Sequence, residues 1–155
     1  MNNEIKFLHP ERSEMEIIEE IIRSKKQKVD DYYPGWLIYT LSYGSKTLEV
    51  RFKPDRREAG TYIENTKESS ERLENETTLL YKAVKIILQD FVFHNNLSVD
   101  YFIRTENEHI RDWAKNRGEQ IFHWDNVEEY KDENFPTLYV FKKMFQPEKN
   151  NLETN

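Results

Sequence analysis

His123-Trp124-Asp125 sets an imidazole and a carboxylate on one face of an extended segment, and His109 lies on the helix expected just before it. Three such groups could ligate zinc or another divalent cation. The four histidines of the chain are scattered, however, and they read as exposed or hydrogen-bonded side chains, so no metal site is expected. Asp30, Glu49 and Arg51 loosely resemble the carboxylate set of a nuclease, but the lysine that belongs with it is absent. No serine or threonine sits in a nucleophile signature. Without cysteine there is no thiolate chemistry, no disulfide and no cysteine-ligated zinc. Four glycines in 155 residues also exclude glycine-rich phosphate cradles of the GxGxxG or Walker type.

Charge is more sharply organised than these trios. Arg23, Lys25, Lys26 and Lys28 form one basic cluster and Arg51, Lys53, Arg56 and Arg57 a second, while residues 64–76 and 125–133 are acidic. Each cluster alone reads as an ordinary solvated loop, yet two patches of each sign could orient a partner electrostatically. The basic pair could touch phosphates, although no stacking motif accompanies it. A net charge of −6 argues against general affinity for nucleic acid, and with 23 Lys and Arg the chain is no mimic of DNA.

The elements that must hold these residues follow from periodicity. A short strand is expected at 5–8, then a helix capped by Ser13 with Met15, Ile18, Ile21 and Ile22 at helical spacing. Residues 23–31 could finish that helix or form a loop. Residues 36–43 and the alternating Leu48, Val50 and Phe52 make a hairpin about Gly44. Residues 54–76 lack an apolar period and read as a mobile loop, with a possible short strand at 61–63. The strongest helix spans 77–94, with Leu80, Val84, Ile87 and Phe91 on one side and an apolar face wide enough to lie on a sheet. Val99, Tyr101 and Ile103 mark the next strand, residues 106–117 a last helix ended by Gly118, and 120–124 and 137–145 two final strands around an acidic loop at 125–136. One α+β domain over 1–146 and a disordered tail at 147–155 are expected. No signal-peptide h-region or apolar run of membrane-spanning length occurs, which with the missing cysteine points to a cytoplasmic protein that does not engage membranes.

The resulting order is β-α-β-β-(loop)-α-β-α-β-β. Within residues 79–118, Asn107 ends a strand, Ile110 follows three positions on, Trp113 six on and Gly118 eleven on. This order and spacing resemble the GNAT (GCN5-related N-acetyltransferase) superfamily. The resemblance implies a mixed, splayed β-sheet with flanking helices and, in the enzymes, acetyl-CoA held by its pyrophosphate on an Arg/Gln-x-x-Gly-x-Gly/Ala loop that opens the central helix. The nearest match is Arg57-Glu58-Ala59-Gly60-Thr61-Tyr62, which has a tyrosine at the third key position and lies well before that helix. The residues directly before the helix, Glu71-Arg72-Leu73-Glu74-Asn75-Glu76, suit its dipole but would repel a pyrophosphate. The position that often holds the family's general-acid tyrosine is Ala114, and Tyr101 or Tyr81 could replace it without support from spacing. The expectation is therefore a non-catalytic protein-binding or regulatory module without cofactor or assigned catalytic residue. Its interaction residues would be Arg23, Lys25, Lys26, Lys28, Arg56 and Arg57, with the aromatics of Tyr32-Tyr33 and His123-Trp124 as further candidates. The alternative is an acetyl-CoA-dependent N-acetyltransferase with a relocated cofactor loop built on Arg57, Gly60 and Asn107.

Overall fold

Ser13 is the N-cap of the first described helix, its hydroxyl accepting from the Glu16 amide at 3.1 Å. The computed structural model describes residues 13–44, 46–62 and 76–147. The strand expected at 5–8, the loop residues 63–75 and the tail from 148 lie outside these. Helix α1 (Glu14–Arg23) buries Ile18 and Ile21 and leaves Met15 exposed. Arg23 finishes it, but the rest of the segment 23–31 is not simply helix end or loop. It holds strand β1 (Lys26–Val29), which pairs antiparallel with β2 (Leu37–Tyr43). All four β1 residues are exposed, so this edge strand has no apolar alternation to announce it.

Strands β2 and β3 (Lys46–Lys53) form the expected hairpin, turned at Gly44 with φ +60°. Leu48, Val50 and Phe52 point into the core. The loop expected from residue 54 is corrected over its first part: a single 3-10 turn at Pro54–Arg56 and a left-handed Arg57 (φ 53°) reverse the chain into β4 (Glu58–Tyr62). A five-residue strand, whose Ala59 is fully buried, is too short to carry a period.

Helix α2 (Thr78–Asn95) leads into β5 (Val99–Thr105), and β5 into α3 (Glu108–Trp113). Gly118 does not end that helix. A π turn at Ala114–Gly118 carries it on into α4 (Glu119–Phe122), so the strand expected at 120–124 is replaced by helix through Phe122 and a left-handed His123. Gly118 is glycine for lack of room: a Cβ there would lie 3.2 Å from Trp124 Cζ2 and 3.4 Å from Trp113 Cζ3. The Trp124 indole in turn donates to the Ala114 carbonyl at 2.9 Å, a partner that the wider π turn leaves accessible. The acidic loop expected at 125–136 is instead strand β6 (Asn126–Asp132), hairpinned to β7 (Phe135–Phe145). Like β1, it is an almost fully exposed edge strand.

The fold is α+β, and the described residues form one seven-stranded mixed sheet in the order β1-β2-β3-β4-β5-β7-β6. Every neighbouring pair is antiparallel except β4 and β5, which run parallel and register over Glu58↔Asp100, Ala59↔Tyr101 and Gly60↔Phe102. The inward faces of the helices and of β2–β5 and β7 merge into one apolar cluster, so the described helices share one side of the sheet. On α2 the buried face is Leu80, Tyr81, Ala83, Val84, Leu88 and Val92. The expected line through Ile87 and Phe91 is thereby corrected: both are half-buried and line a cleft of about 300 Å³ beside Tyr39, Val50 and Phe52. A helix whose apolar residues spread over so wide an arc does not fix its own rotation by them. Tyr81 fixes it, turned inward against Trp113 with ring centroids 4.3 Å apart. Leu88→Ala should cost about 2–5 kcal/mol and Ile87→Ala distinctly less, measured by urea unfolding. Equal losses would contradict this orientation of α2.

Candidate functional site

The residues assigned to chemistry lie in three places, and the first is the parallel junction. Gly60 sits mid-strand, paired with Arg51 on one side and Phe102 on the other. The Arg57 carbonyl accepts from the Asp100 amide at 2.9 Å. Both residues therefore build the sheet, and the segment 57–62 does not open a helix. Asn107 lies beyond the end of β5 as the N-cap of α3, its Oδ1 accepting from the His109 and Ile110 amides at 2.8 and 3.1 Å. Arg57, Gly60 and Asn107 are thus strung along β4 and β5 and do not converge.

Behind the junction, Thr61 Oγ1 and the Tyr101 hydroxyl are hydrogen-bonded at 2.8 Å. Tyr81 lies in the same interior, and both phenols are buried. Burial pushes the Tyr101 hydroxyl well above the usual tyrosine range, with Tyr81 adding to the rise and the Thr61 bond opposing it. Burial raises Tyr81 in the same way, again against Thr61. Ala114 is fully buried beside them. These groups fasten the core and are turned away from solvent.

The histidine trio falls apart in the fold. His123 takes a left-handed turn with its imidazole 4.0 Å from Glu119, His109 sits in the first turn of α3, and Asp125 accepts from the Met144 amide at 2.7 Å. Among the described residues no three His, Asp or Glu side chains are grouped to hold a metal ion. Trp124 is half-buried and stacks on Phe122 at 4.9 Å, so it serves packing and does not form a free surface.

The third place is the side of the sheet opposite the helices. Register alone sets Lys28, Ile38, Arg51, Gly60, Phe102 and Lys142 in one row across six strands. Asp30, Glu49 and Arg51 do meet here, as ion pairs: Arg51 lies 3.1 Å from Glu49 and 3.9 Å from Asp30. Buried Asp30 also accepts from the Tyr32 and Tyr33 amides at 2.8 and 3.2 Å, which shapes the 30–36 turn. That turn stacks Tyr33 on Trp36 at 4.2 Å. The Trp36 indole donates to Asp55 at 2.9 Å, while Lys53 and Arg56 lie over its ring at 4.7 and 5.3 Å. Partial burial holds the Lys53 ammonium below the usual lysine range; Glu58 opposes this, and Arg104, Arg56 and Arg51 add to it. Tyr32 stands beside this group, 87% exposed.

The two basic clusters are therefore both divided and joined. Lys26 and Lys28 reach the open face together with Arg51, Lys53 and Arg56. Lys25 turns to the helix side, its ammonium 5.1 Å from the centre of the Tyr39 ring, and Arg23 stays in the last turn of α1. Arg57 is exposed at the chain reversal. Trp36 and Arg104 were not legible as members of this surface. The available signal was Tyr33-Pro34-Gly35-Trp36, a turn carrying two aromatics into a strand whose partner ends in basic residues. No helix of the described residues is long and apolar enough to cross a membrane. Comparison with protein families, curated proteins and solved structures finds no match to this chain.

The buried phenols give a pH signature. Both titrate above the ordinary tyrosine value of 10.0, so above that pH the unfolded chain releases protons that the folded one keeps. Their contribution is complete below pH 10.0 and is lost as pH rises beyond it. Tyr101→Phe should flatten the alkaline fall of the urea midpoint; an unchanged slope would mean that Tyr101 is not held in this way.

Proposed function

We propose that this chain is a non-catalytic, protein-binding regulatory module on a GNAT-like frame, and that it recognises an acidic partner with the open sheet face around Trp36. The observation that carries this reading is the placing of Lys53 and Arg56 over the ring of Trp36, itself stacked on Tyr33, with Lys28 and Arg51 on the same face opposite Ile38. Aromatic and arginine side chains are the ones that most often dominate protein interfaces. Here they are ordered before binding, which lowers the entropy cost of docking. In a chain of net charge −6, a cationic face of this kind is a local departure that favours an acidic partner segment and speeds encounter with it. The lack of cysteine suits a reducing compartment, and we place the module in the cytoplasm.

The frame reading is supported by the mixed sheet, the single parallel junction that registers over three positions, and α2 leading into β5 and β5 into the Asn107-capped α3. The same features favour a second reading, an acetyl-CoA-dependent N-acetyltransferase. Against it stand the ladder position of Gly60, the burial of Ala114, Tyr81 and Tyr101, and the carboxylates that precede α2.

Fluorescence anisotropy with a labelled Glu/Tyr copolymer is the test. Binding should weaken with added salt. The double variant Lys53→Glu/Arg56→Glu should lose at least about tenfold in affinity, and Gly60→Asp should leave it unchanged. Millimolar acetyl-CoA should not raise the melting temperature. A clear rise abolished by Gly60→Asp would replace this reading with the second.

A further inference from the structure

A cleft on the helix side of the sheet lies apart from the surface just described. It is a cavity of about 590 Å³ walled by Lys85 and Gln89 of α2, Phe122 of α4, His123 and Asp125 just beyond it, and Lys143 and Phe145 of β7. A second cavity of about 340 Å³ shares Lys85 and Gln89 and continues along α2 past Lys82 and Ile86 to Ile121. Lys85 and Gln89 thus stand between the two cavities and line both. Phe122, Phe145 and Ile121 are all buried and supply apolar wall, while the charged lining on α2 and β7 is cationic.

The carboxylates near this cleft are already engaged. Asp125 faces Lys143 at 3.8 Å and accepts from the Met144 amide, Glu14 is paired with Lys82, and Glu119 lies 4.0 Å from His123. Lys85 alone of the three lysines has no carboxylate partner among the described residues. Partial burial, and then the nearby Lys143 and Lys82, hold its ammonium below the usual lysine range. An unpaired ammonium beside two further lysines and an apolar wall is complementary to a negative head on a greasy body.

We infer that this cleft binds a small amphipathic anion, a short hydrocarbon or aromatic body ending in a carboxylate or phosphate, with Lys85 as the counter-ion of its head and the Phe122–Phe145 wall against its body. The wall favours such a ligand over a free inorganic anion, because apolar contact contributes in proportion to the area it removes from water. Gln89, one turn beyond Lys85 on the same side of α2, is placed to donate a second hydrogen bond to the head.

Isothermal titration of the full chain with octanoate, octyl phosphate, inorganic phosphate and octylamine tests the inference. At least one of the two octyl anions should bind saturably at millimolar concentration or below, and which of them binds more tightly identifies the head as carboxylate or phosphate. Inorganic phosphate should bind far more weakly and octylamine not at all. Lys85→Met should weaken the octyl anion by at least about tenfold, Lys85→Arg should retain it, and Lys28→Met, on the opposite face, should leave it unaltered. No saturable binding of either octyl anion, equal binding of octylamine, or full affinity in a folded Lys85→Met would overturn the proposal. Circular dichroism of each variant separates lost binding from lost fold.

Discussion

Among the described residues, the two antiparallel halves of the sheet, β1 to β4 and β5 with β7 and β6, pair with each other only where β4 and β5 run parallel over three registered positions. So short a ladder leaves few cross-strand hydrogen bonds to hold the sheet together, and the join needs support from its helix side. The support comes from aromatic rings contributed by different elements, and Phe52 of β3 against Phe91 of α2 at 4.8 Å ties the first half to them. Tyr101 of β5 lies 4.8 Å from Phe122 of α4, Tyr81 of α2 lies 4.3 Å from Trp113 of α3, and Phe122 and Trp124 stack at 4.9 Å. Each such pair contributes about 0.5–1.5 kcal/mol beyond the area it buries. The Thr61–Tyr101 hydrogen bond ties the two strands together behind the ladder. The polar groups in this packing are satisfied: Trp113 donates to Thr78 at 3.1 Å and Trp124 to Ala114. A tyrosine that locks the sheet in this manner is not available to pass a proton to a substrate.

Because the aromatic rings draw the described helices to one side, the other side carries its charges in the open. Arg104 reaches Glu58 at 3.7 Å and Lys142 reaches Asp100 at 3.8 Å, both across strands. Exposed pairs of this kind contribute little to stability, about 0–1 kcal/mol each. What they fix is position, and the Trp36 group shows how: Asp30 shapes the turn, the turn delivers Tyr33 to Trp36, and β3 with its 3-10 turn sets two cations over the indole. The surface is ordered by the same contacts that would present it to a partner.

How much of this was legible depended on whether an element buries an alternating face. The β2–β3 hairpin and β5 do, and Leu48, Val50, Phe52, Val99, Tyr101 and Ile103 are buried as their spacing indicates, whereas α2 was legible as a helix but not in its rotation. Strands β1 and β6 are exposed edges whose only reason to be extended is a neighbouring strand, and nothing local in Lys26–Val29 or Asn126–Asp132 records that neighbour. Gly118 carried a true signal with the wrong cause, since two tryptophans crowd it and no helix end is there. In the surface, the basic clusters were visible as clusters. That Lys25 and Lys28 face opposite sides of the sheet follows only once β1 is known to be a strand.

Native-state hydrogen exchange tests the central dependence most directly, because it measures the free energy of opening residue by residue. If the aromatic packing holds the two halves as one unit, the amides of 59–60 in β4 and 100–102 in β5 should exchange only through global unfolding, as slowly as those of Val50 and Phe141. Exchange at the junction much faster than in β3 and β7 would show that the halves open independently, and would contradict the role given to Tyr81, Tyr101, Trp113 and Phe122.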